Sequence, residues 1–312
     1  MANSEVFVIQ RVAAKATADR SNERWTRKAA DIVSLTKPRV TCLVLLTGAA
    51  GAGMSGPRAD LWTLTMALIG TALIVGGANA LNMWLERDVD AKMARTRHRP
   101  LPSGRMSPDV ALACGVVLAT TSIPLLFAVN TVTGGLGCAA LATYVGLYTP
   151  LKRRTDMALL VGAVPGAIPP VLGWTSATGA IGAGGVLLFA LLFFWQLPHF
   201  AAISIARADD YARANLKVMS TVRGERATRW TVFAWSILLV GASLLFVPLG
   251  IASPRYGVVA LVLAVPCLGL AAAGLSSSAR FDARRWATRV FGFSIPHLTL
   301  LIVALLCDHA LP

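Results

Sequence analysis

Residues 82–100 read NMWLERDVDAKMARTRHRP, and this dense block of acids and bases follows directly on an uncharged hydrophobic segment, residues 61–81. If that segment continues as a helix, Asn82, Glu86 and Asp90 lie four residues apart on one face, with Asp88 close by and off that face. Carboxylates and an amide oxygen are hard oxygen ligands of the kind that Mg²⁺ takes, and the cations that follow suit a phosphorylated substrate. Because ionisable groups at membrane depth are costly and usually functional, the block predicts a metal site rather than a solvated loop.

The composition is that of a membrane protein. The 312 residues are 55% hydrophobic and 14% charged, whereas an ordinary soluble domain carries about a quarter of charged residues. A helical span needs about 20 mostly apolar residues. We therefore predict an all-α integral membrane protein, and the nine spans expected are residues 40–55, 61–85, 110–129, 134–148, 157–174, 184–205, 230–249, 256–275 and 290–307.

The distribution of positive charge predicts the orientation. The net charge is +14, and all of the 29 Lys and Arg residues except Arg58 and Arg255 fall on one side when nine spans are drawn. This asymmetry is the positive-inside pattern, which argues against nucleic acid as a partner. We expect a cytoplasmic amino terminus and an outer carboxyl terminus, with residues 1–33 as a cytoplasmic tail that lacks a signal peptide and residues 34–312 as one membrane domain.

A second acidic block follows the sixth span. That span ends in Trp-Gln-Leu-Pro-His-Phe, residues 195–200, and Asp209 and Asp210 come shortly afterwards. If Pro198 does not rotate the helix, Gln196, His199 and Asp210 share approximately one face. A lone buried histidine is usually a structural group, but one placed two to three turns from an acidic pair favours a functional role.

Two further groups of cations precede the first span and follow the fourth. For Lys37 and Arg39, contact with lipid headgroups and contact with a ligand are equally good interpretations. Lys152 and Arg153 by themselves mark the inner side of the membrane. With a phosphate site on the same side, they become candidate diphosphate ligands. Tyr148 alone is typical of an interfacial belt residue.

Taken together, these stretches resemble the UbiA superfamily of intramembrane prenyltransferases. The first motif of the superfamily, Asn-Asp-x-x-Asp-x-x-x-Asp, is matched except at Met83 and Glu86, and the second, Asp-x-x-x-Asp, is matched except at Ala206. Both departures are similar to those of one branch, the protohaem IX farnesyltransferases. The resemblance covers residues 34–308, and the stretches that carry it are residues 35–39, 82–90, 95–104, 148–153 and 195–200.

The resemblance implies a fold, a reaction and a location. The fold would be nine transmembrane helices around a central cavity with cytoplasmic capping loops. The reaction would join farnesyl diphosphate, haem b and water to give haem o and diphosphate, with Mg²⁺ as the cofactor and the lipid bilayer as the setting. The expected location is the bacterial inner membrane. Whether a haem a synthase or a terminal oxidase is a partner stays open.

The resemblance also implies a role for particular residues. The residues implied in catalysis are Asn82, Glu86, Asp90 and Asp210. The metal ligands would be Glu86, Asp90 and Asp210, with Asp88 and Asp209 as further candidates. The expected diphosphate-binding residues are Arg95, Arg97, Arg99, Lys152 and Arg153. The residues expected to contact the haem or another acceptor are His199, Gln196 and Tyr148.

Two alternative functions are weighed against this one. A prenyltransferase for an aromatic acceptor, such as a quinone precursor, is disfavoured by Met83, Glu86 and the stretch 195–200. A transporter is disfavoured because transporters place their ionisable groups near the bilayer midplane, whereas the acids here gather at the ends of spans.

Overall fold

The computed structural model describes residues 26–56 and 60–310, and within these residues all regular structure is helical. The α-helices in chain order are α1 (Thr26–Leu35), α2 (Pro38–Gly53), α3 (Leu61–Asp90), α4 (Pro108–Val129), α5 (Thr131–Leu141), α6 (Thr149–Leu151), α7 (Ala158–Thr178), α8 (Gly182–Ala206), α9 (Ala208–Arg213), α10 (Met219–Val222), α11 (Glu225–Leu244), α12 (Pro254–Ala273) and α13 (Ala283–Ala310). A π-helical segment, Ala142–Tyr148, joins α5 to α6. The all-α prediction is confirmed.

The number of spans differs from the predicted nine. Seven of the described helices are long and apolar enough to cross a membrane by themselves, namely α3, α4, α7, α8, α11, α12 and α13. Helices α1 and α2 together supply an eighth candidate, bent by 46°. The predicted fourth span coincides with α5 and the π-helical segment, whose 11 and 7 residues are each too short alone. Of the tail predicted over residues 1–33, residues 1–25 lie outside the described residues, as does Arg58.

The bend between α1 and α2 has a local cause. Pro38 occupies the first turn of α2, where its missing N–H costs nothing, and it disfavours a helical conformation for the residue before it. That residue, Lys37, adopts a left-handed conformation with φ 48°. The chain therefore turns at Lys37.

Helix α7 lies unusually close to α2 because glycines remove side chains from the crossing. A Cβ added to Gly51 would lie 1.9 Å from the Pro170 carbonyl oxygen, and one added to Gly173 would lie 1.7 Å from that of Gly48. Such a close backbone approach is typical of small residues between membrane helices. It holds α7 against the amino-terminal part of the bundle.

Three polar connections meet at one end of the bundle, and we call them together the charged face: residues 91–107, 152–157 and 207–224. An apolar cluster of Val89, Met93, Ala214 and Leu216 packs the first connection against the third. The backbone N–H of Lys217 donates to the carbonyl of Lys152 at 3.3 Å, which joins the third connection to the second. The two acidic blocks are therefore parts of one surface.

Candidate active site

The last two turns of α3 bury a row of polar side chains, as the four-residue spacing predicts. Asn82, Glu86 and Asp90 are all buried. The amide nitrogen of Asn82 donates to Glu86 Oε2 at 3.0 Å and to Thr149 Oγ1 at 3.0 Å. The amide therefore orients the carboxylate, while its own carbonyl oxygen makes neither of these bonds.

Each buried carboxylate of α3 is paired with a cation from the charged face. Lys152 Nζ lies 2.9 Å from Glu86 Oε1, and Arg99 Nη1 lies 2.6 Å from Asp90 Oδ2. Burial acts to lower the pKa of Lys152, but the neighbouring Tyr148 and Glu86 outweigh it and raise the pKa overall. These pairs satisfy charges that would be costly to bury alone.

The second acidic block reaches the first through Asp210. Its Oδ1 accepts a hydrogen bond from the backbone N–H of Ala94 at 3.2 Å and forms an ion pair with Arg213. Burial acts to raise the pKa of Asp210, but the bonds from Arg213 and Ala94 outweigh it and hold that pKa below its usual value. Asp210 therefore lies, as an ionised carboxylate, against the connection that follows Asp90.

The two other predicted metal ligands point away from this group. Asp88 is 60% exposed and forms a bidentate pair with Arg153 at 2.7 and 3.0 Å. Asp209 is 65% exposed and pairs with Arg284 of α13 at 2.6 Å. Arg153, which was expected to bind diphosphate, is thus paired with an exposed acid on the solvent-facing side of α3.

The remaining predicted cations are distributed over the charged face. Arg95 is exposed and interacts electrostatically with Asp210. Arg97 is exposed and its Nε lies 3.3 Å from Nε2 of the adjacent His98. Of the five predicted diphosphate-binding residues, Lys152 and Arg99 are therefore the ones that contact a buried acid of α3.

Lys37 is a residue whose role the sequence left undecided. It interacts electrostatically with Arg99, Lys152, Glu86 and Asp90, which places it in the charged cluster. Its backbone is in the left-handed conformation, at the turn before Pro38. This position favours the interpretation of Lys37 as a ligand contact over its interpretation as a lipid anchor.

Thr149 and Tyr144 were not singled out in the sequence. The hydroxyl of Thr149 accepts from Asn82 and donates to the Tyr144 carbonyl five residues earlier, at 2.8 Å. Tyr144 packs on Tyr148 with ring centroids 5.4 Å apart, and Lys152 Nζ lies 4.4 Å above the Tyr148 ring. The only signal in the sequence was their nearness to Lys152, because a π-helical turn leaves no distinctive residue pattern.

The three predicted acceptor residues have different bonding partners. Gln196 donates to the carbonyls of Ala163 and Leu192 at 3.0 and 3.1 Å, and so lies between α8 and α7. His199 faces α13, whereas Tyr148 lies under Lys152 at the charged face.

The continuous helical face expected from Gln196 to Asp210 is also interrupted. Helix α8 ends at Ala206, Arg207 is non-helical, and α9 begins at Ala208. The helix is therefore broken before the chain reaches Asp210.

The donor chemistry suits a hard divalent cation, although a complete site is not preformed. Within residues 26–56 and 60–310, no group of three or more His, Cys, Asp or Glu side chains is placed to hold a metal ion. The five-carboxylate set is not assembled, because two members point outward and the others are held by cations. Mg²⁺ is usually bound by one or two carboxylates together with substrate phosphates, and one or two of Glu86, Asp90 and Asp210 would fit that mode.

Sequence comparison adds the decisive observation. A sequence model of the UbiA prenyltransferase family matches residues 43–295, which is most of the chain. The chain belongs to the UbiA prenyltransferase family. Among similar members, the protoheme IX farnesyltransferase of Anaeromyxobacter sp. (strain Fw109-5) is 50% identical over 278 residues, covering 89% of this chain and 93% of the relative. That of Sorangium cellulosum (strain So ce56) is 53% identical over 244 residues, or 78% and 86%.

Solved UbiA-type structures support the fold. A structure of digeranylgeranylglyceryl phosphate synthase superposes with a TM-score of 0.77 at 13% identity, covering 91% of this chain and 99% of that one. A UbiA homologue from Archaeoglobus fulgidus, bound to GPP and Mg²⁺, has a TM-score of 0.60 at 15% identity, covering 88% and 99%. The UbiA fold predicted from the motifs is therefore confirmed.

Proposed function

We propose that this chain transfers the farnesyl group of farnesyl diphosphate to a vinyl group of haem b, giving haem o and diphosphate. The observation that carries the proposal is a buried cluster of acids and cations in a chain half identical to proteins named protoheme IX farnesyltransferase. In the cluster, Lys37, Arg99 and Lys152 gather around Glu86 and Asp90. Three basic side chains next to two acids suit the binding of a diphosphate.

The ion pairs of the cluster explain how the site could accept both a metal and a diphosphate. Mg²⁺ held by Glu86, Asp90 and Asp210 together with diphosphate oxygens would supply positive charge next to the leaving group. If these carboxylates bound Mg²⁺, Lys152 and Arg99 would lose their present ion-pair partners. The two side chains are then free to donate to diphosphate oxygens, so no charge is left buried and unpaired.

The same cations assist bond breaking. Cleavage of the bond between the allylic carbon and oxygen places additional negative charge on the departing diphosphate, where Lys152, Arg99 and Lys37 hold it. Their effect is large because Lys152 and Arg99 are only 23% and 26% exposed, so little water screens them. Tyr148, which lies under Lys152, keeps that ammonium in position.

The acceptor half of the reaction needs apolar surroundings. A farnesyl chain lies against apolar helix faces, where the allylic cation is shielded from early capture by water. The vinyl group of the haem then adds to that cation. The resulting cation on the haem side takes up one water and releases one proton, which gives the hydroxyethylfarnesyl group. His199 and Gln196 are the acceptor-side residues of the proposal, and Tyr148 is assigned to the diphosphate side.

The charge distribution supports a location for the site. The charged face consists of connections on the side of the bundle that is rich in Lys and Arg. We therefore place it at the cytoplasmic surface of a bacterial inner membrane. This puts the amino terminus inside and the carboxyl terminus outside. A haem a synthase or a terminal oxidase is the partner that would use haem o, and co-purification with either one tests that contact.

One experiment separates the proposal from its two rivals. Purified protein in liposomes receives labelled farnesyl diphosphate with Mg²⁺ and either haem b or 4-hydroxybenzoate. We expect farnesylated haem and stoichiometric diphosphate. Product on the benzoate alone would reverse the choice of acceptor, and solute flux without diphosphate release would favour a transporter.

A further inference from the structure

The imidazole of His199 is held rigidly between α8 and α13. It is 7% exposed and stacks on Trp195 with ring centroids 4.7 Å apart. Phe200 meets it edge-on at 5.2 Å and Phe291 of α13 lies at 4.9 Å. Three aromatic rings therefore fix the plane of the imidazole.

Ser294 determines which ring nitrogen of His199 carries the proton. Ser294 Oγ lies 2.7 Å from the Phe291 carbonyl oxygen and 2.6 Å from His199 Nδ1. A carbonyl has no hydrogen to give, so for both contacts to be hydrogen bonds the single hydroxyl proton of Ser294 points at the carbonyl. The contact with His199 then requires the proton to be on Nδ1, with Ser294 Oγ as the acceptor. In the neutral imidazole this leaves a lone pair on Nε2.

Nε2 of His199 has no hydrogen-bond partner among the described residues and is not fully enclosed. The atom therefore keeps some accessible surface. His297, one turn further along α13, is the opposite case, since both of its ring nitrogens are enclosed and unpartnered. The two histidines differ in whether a lone pair can be reached.

We propose that Ser294 is a positioning residue, which fixes His199 in the Nδ1–H form so that Nε2 binds the iron of the haem substrate. The inference rests on the proposed function, because that function supplies the haem. A histidine that binds a metal nearly always donates its other N–H to an acceptor, which fixes the tautomer and raises the basicity of the ligand. A neutral imidazole is also a common axial ligand of haem iron.

The backbone of Ser294 is anchored independently of its hydroxyl. Trp195 Nε1 donates to the Ser294 carbonyl at 2.7 Å, so the ring that stacks on His199 also ties α8 to α13 at this residue. Replacing the hydroxyl leaves that bond in place. Ser294→Ala therefore tests the orienting hydrogen bond rather than the helix contact.

The test is a titration of the full-length protein in detergent with haem b, followed by optical absorption and by resonance Raman scattering of the ferrous complex. We expect an iron–imidazole stretch in the wild type and its loss in His199→Ala. Ser294→Ala should weaken haem affinity by about 10- to 100-fold and shift the stretch. Ser294→Thr, which keeps a hydroxyl, should restore both.

Two matched controls accompany these variants. Ser236→Ala removes a buried hydroxyl that donates to the Val232 carbonyl of its own helix, and His297→Ala removes the enclosed imidazole. Both should leave the spectrum unchanged. If Ser294→Ala does not fold, Ser294→Cys replaces it as a weaker acceptor of similar size.

The outcomes separate this inference from the proposed function. A wild-type protein that farnesylates haem while its spectrum shows no imidazole, or keeps the imidazole signal in His199→Ala, overturns the ligation. An unchanged spectrum and affinity in Ser294→Ala overturn the positioning role. If the wild type neither binds nor farnesylates haem, the proposed function fails first, and the inference fails with it.

Discussion

Asp90 and Asp88 are two residues apart on the same helix, yet they have opposite surroundings. The side chain of Asp90 is 3% exposed and paired with Arg99, whereas that of Asp88 is 60% exposed and paired with Arg153. Two residues correspond to just over half a helical turn, so neighbouring acids at this spacing point to different sides. Helical phase, not the density of acids, decides which carboxylate belongs to the cluster.

The second acidic block repeats this contrast with adjacent residues. Asp210 is buried against Ala94, whereas Asp209 is exposed and paired with Arg284. Each block therefore supplies an inner acid and, beside it, an outer acid of the same type. The outer member is a matched control for the inner one.

The largest expected effect is that of Asp90→Asn compared with Asp88→Asn. The first change removes a buried negative charge next to the proposed leaving group, and we expect the rate of farnesyl transfer to fall by about 10²- to 10³-fold. Glu86→Gln should behave in the same way. Asp88→Asn should retain most of the activity. Diphosphate release by purified, folded protein is the measurement, and equal losses in the Asp90 and Asp88 variants would contradict the division into inner and outer acids.

A smaller effect is expected at the second block, and it concerns the metal. Asp210→Asn should raise the Mg²⁺ concentration for half-maximal activity by about 10- to 100-fold, since a bond to a charged group is worth roughly 1.5–3 kcal/mol. Asp209→Asn should leave that concentration unchanged. Chelation by EDTA should abolish activity in both proteins, with recovery on adding Mg²⁺. Activity of the wild type that persists in EDTA would remove the metal from the proposal.

Lys37 and Arg39 extend the comparison to the cations. Lys37 lies among the charges of the cluster, whereas Arg39 is exposed. Loss of one charged contact to a diphosphate corresponds to about tenfold. We therefore expect Lys37→Ala to raise the KM for farnesyl diphosphate by about that factor, and Arg39→Ala to leave it unchanged. The reverse order would favour the lipid-anchor interpretation of Lys37.

The sequence was sufficient for the fold class and for the inner acids of α3. An uncharged segment running into acids at four-residue spacing has one simple helical solution, and Asn82, Glu86 and Asp90 are buried on one face as predicted. The sequence also predicted that Asp210 belongs to the site. It did not predict the course of the chain up to Asp210, because α8 ends at Ala206 and the predicted continuous helical face is broken there.

What the sequence could not supply were the pairings across the bundle. Thr149 bonds Asn82 from 67 residues away, and Ser294 meets His199 from 95 residues away. Neither serine nor threonine is distinctive in a membrane helix, where such hydroxyls commonly bond to their own backbone. Contacts of this kind depend on how α8 packs on α13 and how the π-helical segment turns. Local periodicity does not encode either.

The smallest expected effect is that of the outer pair itself. Asp88 and Arg153 are 60% and 43% exposed, so water screens their attraction, and such pairs typically contribute about 0.2–1 kcal/mol. A double-mutant cycle of Asp88→Asn and Arg153→Gln, followed by thermal unfolding in detergent, should give a coupling energy within that range and little change in transfer rate. Since Arg153 also donates to the Leu85 carbonyl, the single Arg153 variant carries a further loss that the cycle removes. A coupling well above this range, or a rate that falls as far as in Asp90→Asn, would mean that the outer pair belongs to the reacting cluster after all.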